Sequence, residues 1–353
     1  MWRRKIKGFF SIFKAGLSGL FCLSMFRIPL LTIVFVSAKI FAQCDYCDQG
    51  GLRLKLSNFW KKIHGNHCLK YAIRLYSFPV CDSTGYHLVF EDNFEQEKLD
   101  TLVWQIQPWR QGALATDAWM EYNSMDNVLL ENGLLKIVAR KDTVDAKAVY
   151  WKTEDEHLED SRPNFRRYFY TSANLWSRSV FFMGKFEARI KMSASKGLWP
   201  AFWLYGGKRW NEIDIFDNYK PGLMVTSSGF DFDGDGKAEG CPETIEGIDV
   251  TQWHVYTLIW EFDRIVWQVD GKTVRELPRF TTYGGKPVYC GTNVKKRKYL
   301  AAQFFPLEPM HIIFNLSVGS GKGPAGLPDD STLFPSMMEI DYIKVYQKID
   351  CWE

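Results

Sequence analysis

The sequence predicts an all-β protein built as a sandwich of sheets, on three observations. Short runs of alternating or apolar residues are separated by Gly, Pro, Asn and Asp turn signals. No run of 12 or more residues carries a helical stripe. Aromatics make up 16% of the 353 residues, and such side chains favour strands over helices.

The strands follow in order. His87–Phe90 opens the pattern, and Asn127–Leu130 and Leu134–Ala139 flank the turn Glu131-Asn-Gly133. Gly184–Lys191 sets Phe186, Ala188 and Ile190 against Glu187, Arg189 and Lys191, the alternation of a strand with one buried face. His254–Trp260 and Ile265–Val269 come next, the latter ending on Asp270-Gly271, a tight hairpin signal. Met310–Leu316 and Met338–Tyr346 complete the set. The main domain is expected over 85–350, within the reach of one all-β unit. Residues 44–84 read as a cysteine-containing extension.

Residues 1–43 read as an export segment, either a cleaved signal or a membrane anchor. They carry seven Lys/Arg, no acid, and the apolar run Ile28–Val36 before small residues at Ser37, Ala38 and Ala42. Without those seven, 37 of the 44 basic residues face 41 acids, a net of −4. A mildly acidic body excludes general nucleic-acid binding, which needs a basic face. The late basic run Lys295-Lys-Arg-Lys298 reads as a solvated loop. Export permits disulfides, and Cys241 with Cys290 or Cys68 with Cys81 are candidate pairs. Cys44-x-x-Cys47 reads as structural, because no second pair or histidine cluster completes a zinc site. A secreted or cell-surface (periplasmic) monomer is expected.

The chemistry is expected on Trp210-Asn-Glu-Ile-Asp-Ile-Phe-Asp217. Glu212 and Asp214 are two apart and share a strand face, whereas Asp217 is three further on and needs a β-bulge to join them. Ile213, Ile215 and Phe216 then form the buried side. Clustered carboxylates repel, which raises at least one pKa and yields a protonated acid beside an ionised group. Paired carboxylates beside Trp199, Trp203 and Trp210 suit a polysaccharide, since a pyranose lays its apolar face on an indole.

These blocks resemble glycoside hydrolase family 16, the laminarinase, agarase and carrageenase-type β-glycanases. The bulged signature Glu-x-Asp-x-x-Glu matches Glu212–Asp217. Tyr170–Ser177, Gly184–Lys191, Gly197–Trp203, Trp260, Val269–Gly271, Asn315–Gly319 and Ile340–Tyr346 match in order. The resemblance implies a jelly-roll sandwich whose concave face holds the glycan. It implies Glu212 as nucleophile, Asp214 as its assistant and position 217 as acid/base. It also places Trp199, Trp203, Asn123 and Arg178 in the cleft. No cofactor is implied for the chemistry; a structural calcium is, at Glu91, the Gly133 carbonyl and Asp341. The expected activity is that of a retaining endo-β-glycanase on β-1,3-glucan. The rivals are an agarase-, porphyranase- or carrageenase-like enzyme on marine galactans and a weak or silent glycan-binding protein.

Two departures from the family pattern stand out. Asp217 replaces the usual glutamate, and Met224–Ser228 lacks the histidine that bulged members often carry on the next strand. Asp231-Phe-Asp-Gly-Asp-Gly236 begins like a calcium loop, but Pro242 stands where an EF-hand needs glutamate, so a polar loop over the cleft is expected. Gly319-Ser-Gly-Lys-Gly323 lacks the phosphate-loop pattern and reads as a strand connection.

Overall fold

The structure is a computed structural model that describes residues 70–74, 85–106, 113–114, 119–149, 165–220, 222–282, 284–289 and 298–348. The expectations for 1–43, for Cys44, Cys47, Cys68, Cys81 and Cys290, and for the basic run at 295–297 fall outside those residues.

The first strands are β1 (Lys70–Arg74), β2 (His87–Asp92), β3 (Trp104–Ile106), β4 (Ala113–Leu114) and β5 (Glu121–Asn123). Then come β6 (Val128–Glu131), β7 (Leu134–Ala139), β8 (Val144–Val149), β9 (Phe165–Tyr168) and β10 (Tyr170–Ser172). The middle of the chain forms β11 (Asn174–Phe181), β12 (Gly184–Met192), β13 (Leu198–Tyr205), β14 (Asn211–Lys220) and β15 (Leu223–Phe230). After these run β16 (Glu239–Gly240), β17 (Glu243–Glu246), β18 (His254–Trp260), β19 (Arg264–Val269) and β20 (Lys272–Pro278). The last are β21 (Phe280–Thr282), β22 (Pro287–Val288), β23 (Lys298–Ala302), β24 (Met310–Val318) and β25 (Ser336–Gln347).

Two antiparallel sheets make the jelly-roll sandwich. The front sheet runs β16-β15-β14-β13-β24-β11-β3, with β17 also on β15. The back sheet runs β20-β19-β18-β12-β25-β7-β6, with β2 also on β25. Among the described residues the only helical element is the 3₁₀ turn Met125–Asn127. That turn takes Asn127 out of the predicted strand, which starts at Val128. Ser124 caps it, and the Asn127 amide donates to the Val138 carbonyl at 2.7 Å and to Thr171 at 3.0 Å.

The alternation of β12 decides which face is buried. Phe186, Ala188 and Ile190 are fully buried while Glu187, Arg189 and Lys191 are not. From the front sheet, Phe202, Leu204, Ile213, Ile215, Phe216 and Phe314 enter the same core. Phe202 and Phe314 stack with centroids 4.7 Å apart. Burying each such ring contributes about 1.5–3 kcal/mol, so the sandwich is a stiff support for what faces outward. The Asp270-Gly271 turn has positive φ at both residues (49° and 74°), as a two-residue hairpin of this hand requires. Where β13 begins, Gly197 (φ 74°) lies against Pro328 with no room for a Cβ. Gly319 is pressed in the same way on Gly326 and donates its N–H to the Gly197 carbonyl at 2.8 Å. The glycine-rich segment after β24 is thus a packed connection between strands, as read from the sequence.

Candidate active site

The acid strand β14 carries the bulge its spacing demanded. On β13, Trp203 pairs with Asp214 and Phe202 with Phe216, which leaves Ile215 as the extra residue. On β15, the register slips between Ser227, opposite Asp214, and Val225, opposite Asp217. The slip turns Asp217 to the face of Glu212 and Asp214, while Ile213, Ile215 and Phe216 go to the core.

The three carboxyls interact. Burial, then the charge and hydrogen-bonded carboxyl of Glu212, push Asp214 well above the usual carboxylate range. The Arg275 guanidinium and a hydrogen bond from Ser227 pull it part of the way back. Burial and the charge of Asp214 push Asp217 well up, against a hydrogen bond from Trp199. A carboxyl so placed is biased toward its protonated form, the form that can donate a proton.

Each predicted indole has a definite partner. Trp199 donates its Nε1–H to Asp217 Oδ1 at 2.8 Å, and Trp210 donates to Glu212 Oε2 at 2.8 Å. Trp203 donates to Asn315 Oδ1 at 2.7 Å. All three are half-buried, with ring surface left over. Rings chain together on the Glu212 side: Trp176 touches Trp203 and Tyr205, and Tyr205 touches Trp210. On the Asp217 side, Trp199 meets Trp119 and Tyr219.

The other predicted residues lie on other strands. Asn123 is buried on β5, paired in register with Ser172 of β10. Arg178 is exposed on β11, three strands from β14, and donates to the Thr101 carbonyl and Gln105. Tyr219, Ser227 and Asn315 were not singled out in the sequence, although alternation from Asp217 points to Tyr219; Tyr205 closes the run of rings that begins at Trp199. Glu121, buried beneath the face, was missed as well: burial raises its pKa to about 7, and it accepts from the Val318 N–H at 2.9 Å.

Two groups bear on metal binding. Glu91, Gly133 and Asp341 line one depression together with Asn93, Glu95 and Asn132, oxygen donors of the kind calcium takes. Glu91 is ion-paired to Lys344 at 3.0 Å and Asp341 to Arg189 at 2.6 Å, so a cation would compete with both. In the Asp231–Gly236 loop, the carboxylate oxygens of Asp231, Asp233 and Asp235 lie within 4.8 Å of one another. The Asp231 carboxylate is occupied by the N–H groups of Gly234, Asp235 and Gly236. This loop is anchored to Trp210, at the Glu212 end of the site.

A β-sandwich presenting bulge-aligned carboxyls among indoles is the arrangement of a glycoside hydrolase. The profile of glycosyl hydrolases family 16 matches residues 122–344, more than half of the chain, and the protein belongs to that family. It is 26% identical over 288 residues to the glucan endo-1,3-beta-glucosidase A1 of Niallia circulans, covering 75% of this chain and 38% of that protein. The chain spans 35–38% of the length of the first curated relatives it matches. The endo-beta-1,3-glucanase of Pyrococcus furiosus superimposes with a TM-score of 0.53 at 26% identity, covering 74% of this chain and 94% of that one. A structure from work on endo-acting O-glycanases of human gut microbes that initiate mucin breakdown gives a TM-score of 0.59 at 22% identity, covering 77% and 94%; it shares the fold.

Proposed function

We propose that the protein is a retaining endo-β-glycanase whose substrate is a β-1,3-glucan. The observation that carries this reading is the shared face of Glu212, Asp214 and Asp217, with Asp217 biased toward its protonated form. Glu212 attacks the anomeric carbon, and its carboxylate oxygen displaces the glycosidic oxygen, which takes the Asp217 proton. Asp217, now ionised, draws a proton from water, whose oxygen releases the glycosyl group from Glu212 with net retention. Asp214, hydrogen-bonded to Glu212, holds the nucleophile's orientation. Trp199, Trp203 and Trp210 offer ring faces to the sugars, and their N–H groups are already spent on fixing the site. The similarity to a curated endo-1,3-glucosidase supports the glucan.

The proposal includes action outside the cell after export through residues 1–43, and a monomeric state. It also includes a structural calcium at Glu91, Gly133 and Asp341, held against the two ion pairs there.

The test is a reducing-end assay on laminarin, lichenan, agarose, porphyran, carrageenan and mucin. Laminarin should give product, and Glu212→Gln and Asp217→Asn should each lower the rate by at least about a thousandfold. Cleavage of a galactan or mucin alone overturns the glucan, and binding without product on every glycan overturns the hydrolase. Asp217→Glu should raise the rate if the missing methylene limits it, because a displacement of about 1 Å can cost roughly 10²-fold.

A further inference from the structure

The bulge that aligns the acids leaves backbone groups of β14 and β15 out of the ordinary ladder, and buried carbonyls need partners. Two side chains of the back sheet reach across to supply them. Trp267 of β19, fully buried, donates its Nε1–H to the Asp214 carbonyl at 2.9 Å. Arg275 of β20, 5% exposed, donates from Nη1 to the Thr226 carbonyl at 2.8 Å and to its hydroxyl at 2.9 Å. Thr226 lies between Ser227 and Val225, where the β15 register slips opposite the bulge. The guanidinium lies 4.5 Å from the Trp267 ring centroid, so the two form one unit. Its Nε faces Glu243 of β17 at 3.1 Å, and Nη2 donates to the Cys241 carbonyl.

We propose that Trp267 and Arg275 are positioning residues for the acid cluster: they clamp the carbonyls flanking the bulge and set a buried positive charge behind Asp214. A guanidinium out of water acts over distance with little screening. Among the described residues, titratable groups acting on Asp214 or on that guanidinium include Glu212, Asp217 and Tyr219 on its own strand and Glu243 beside Arg275. Arg275 is the cation that favours the ionised form of Asp214, and so regulates how one proton is shared between Asp214 and Glu212. The clamp fixes the strand; the charge fixes the proton.

This inference rests on the catalytic reading of Glu212, Asp214 and Asp217, and its test separates the two. Carboxyl ¹³C NMR titration is run on the wild-type chain, Arg275→Met and Arg275→Lys, with thermal melts to verify folding. The Asp214–Glu212 pair should titrate at higher pH in Arg275→Met and close to wild type in Arg275→Lys. An unchanged titration in a folded Arg275→Met overturns the electrostatic role, whether or not any glycan is cut. Trp267→Phe keeps an aromatic ring, smaller than the indole, and loses the N–H. It should lower kcat on the cleaved glycan about tenfold with KM within twofold, since roughly 10²-fold is lost per ångström of misplacement. Wild-type kcat in Trp267→Phe overturns the clamp, and this variant decides the matter if Arg275→Met does not fold.

Discussion

Asp217 is one methylene shorter than the glutamate that the family places there, yet its burial and the charge of Asp214 favour the protonated acid. The Trp199 indole donates to its carboxylate and stabilises the ionised form. Removing that donor in Trp199→Phe should raise the Asp217 pKa, because the charged form loses its hydrogen bond. The alkaline limb of the kcat/KM profile should therefore move to higher pH, with the maximum lowered about tenfold by loss of ring polarity and fit. A limb that stays in place would show that Asp217 is not the acid. Glu121 gives a second prediction, read in stability. In the folded chain it holds its proton up to about pH 7, whereas the unfolded chain releases it near 4.5. Wild-type stability should thus fall by about 3 kcal/mol as pH rises from 4.5 through 7. Glu121→Gln should lack that fall, matching wild type at pH 4 and exceeding it at pH 8 in urea titrations. Glu121 was not legible as a buried acid, since nothing in Met-Glu-Tyr-Asn tells which side of a short strand meets β24.

At the scale of the element, alternation and turn chemistry carried most of the information. The strands at Leu134–Ala139 and His254–Trp260 were legible to the residue, because a period of two has one solution when one face must be dry. The bulge in β14 was legible for a similar reason: acids spaced two and then three apart cannot share a face on a regular strand. The Trp267 and Arg275 contacts were not legible, for they cross the core between segments about fifty residues apart. Arg178, expected in the cleft, lies on β11, with β24 and β13 between it and the strand of the acids. A turn prediction belongs here. Gly271 has open space around its Cβ position, so Gly271→Val tests conformation alone. At φ 74° it should cost about 1–2 kcal/mol in urea unfolding, with activity per folded molecule unchanged. A neutral substitution would mean that the turn can change type freely.

For the whole molecule, the sandwich separates labour between its sheets. The front sheet bears the acids and rings; the back sheet supplies the apolar support and the reach of Trp267 and Arg275. The depression at Glu91, Gly133 and Asp341 belongs to the back sheet, where β2 meets β25. Millimolar calcium should raise the melting temperature by a few degrees, about 1 kcal/mol for a domain of this size, and chelation should reverse it. Asp341→Ala should abolish the rise. No calcium dependence in the wild type would leave the depression as a paired-ion surface alone. The fold class was readable because it depends on pattern summed over many strands, while cleft width depends on loops whose packing no local pattern encodes.

β25 bonds to β12 along one side and to β7 and β2 along the other. During translation the back sheet consequently has a gap through its middle until residue 347 has left the ribosome. Until then β12 on one side and β7 and β2 on the other have no strand between them to bond to.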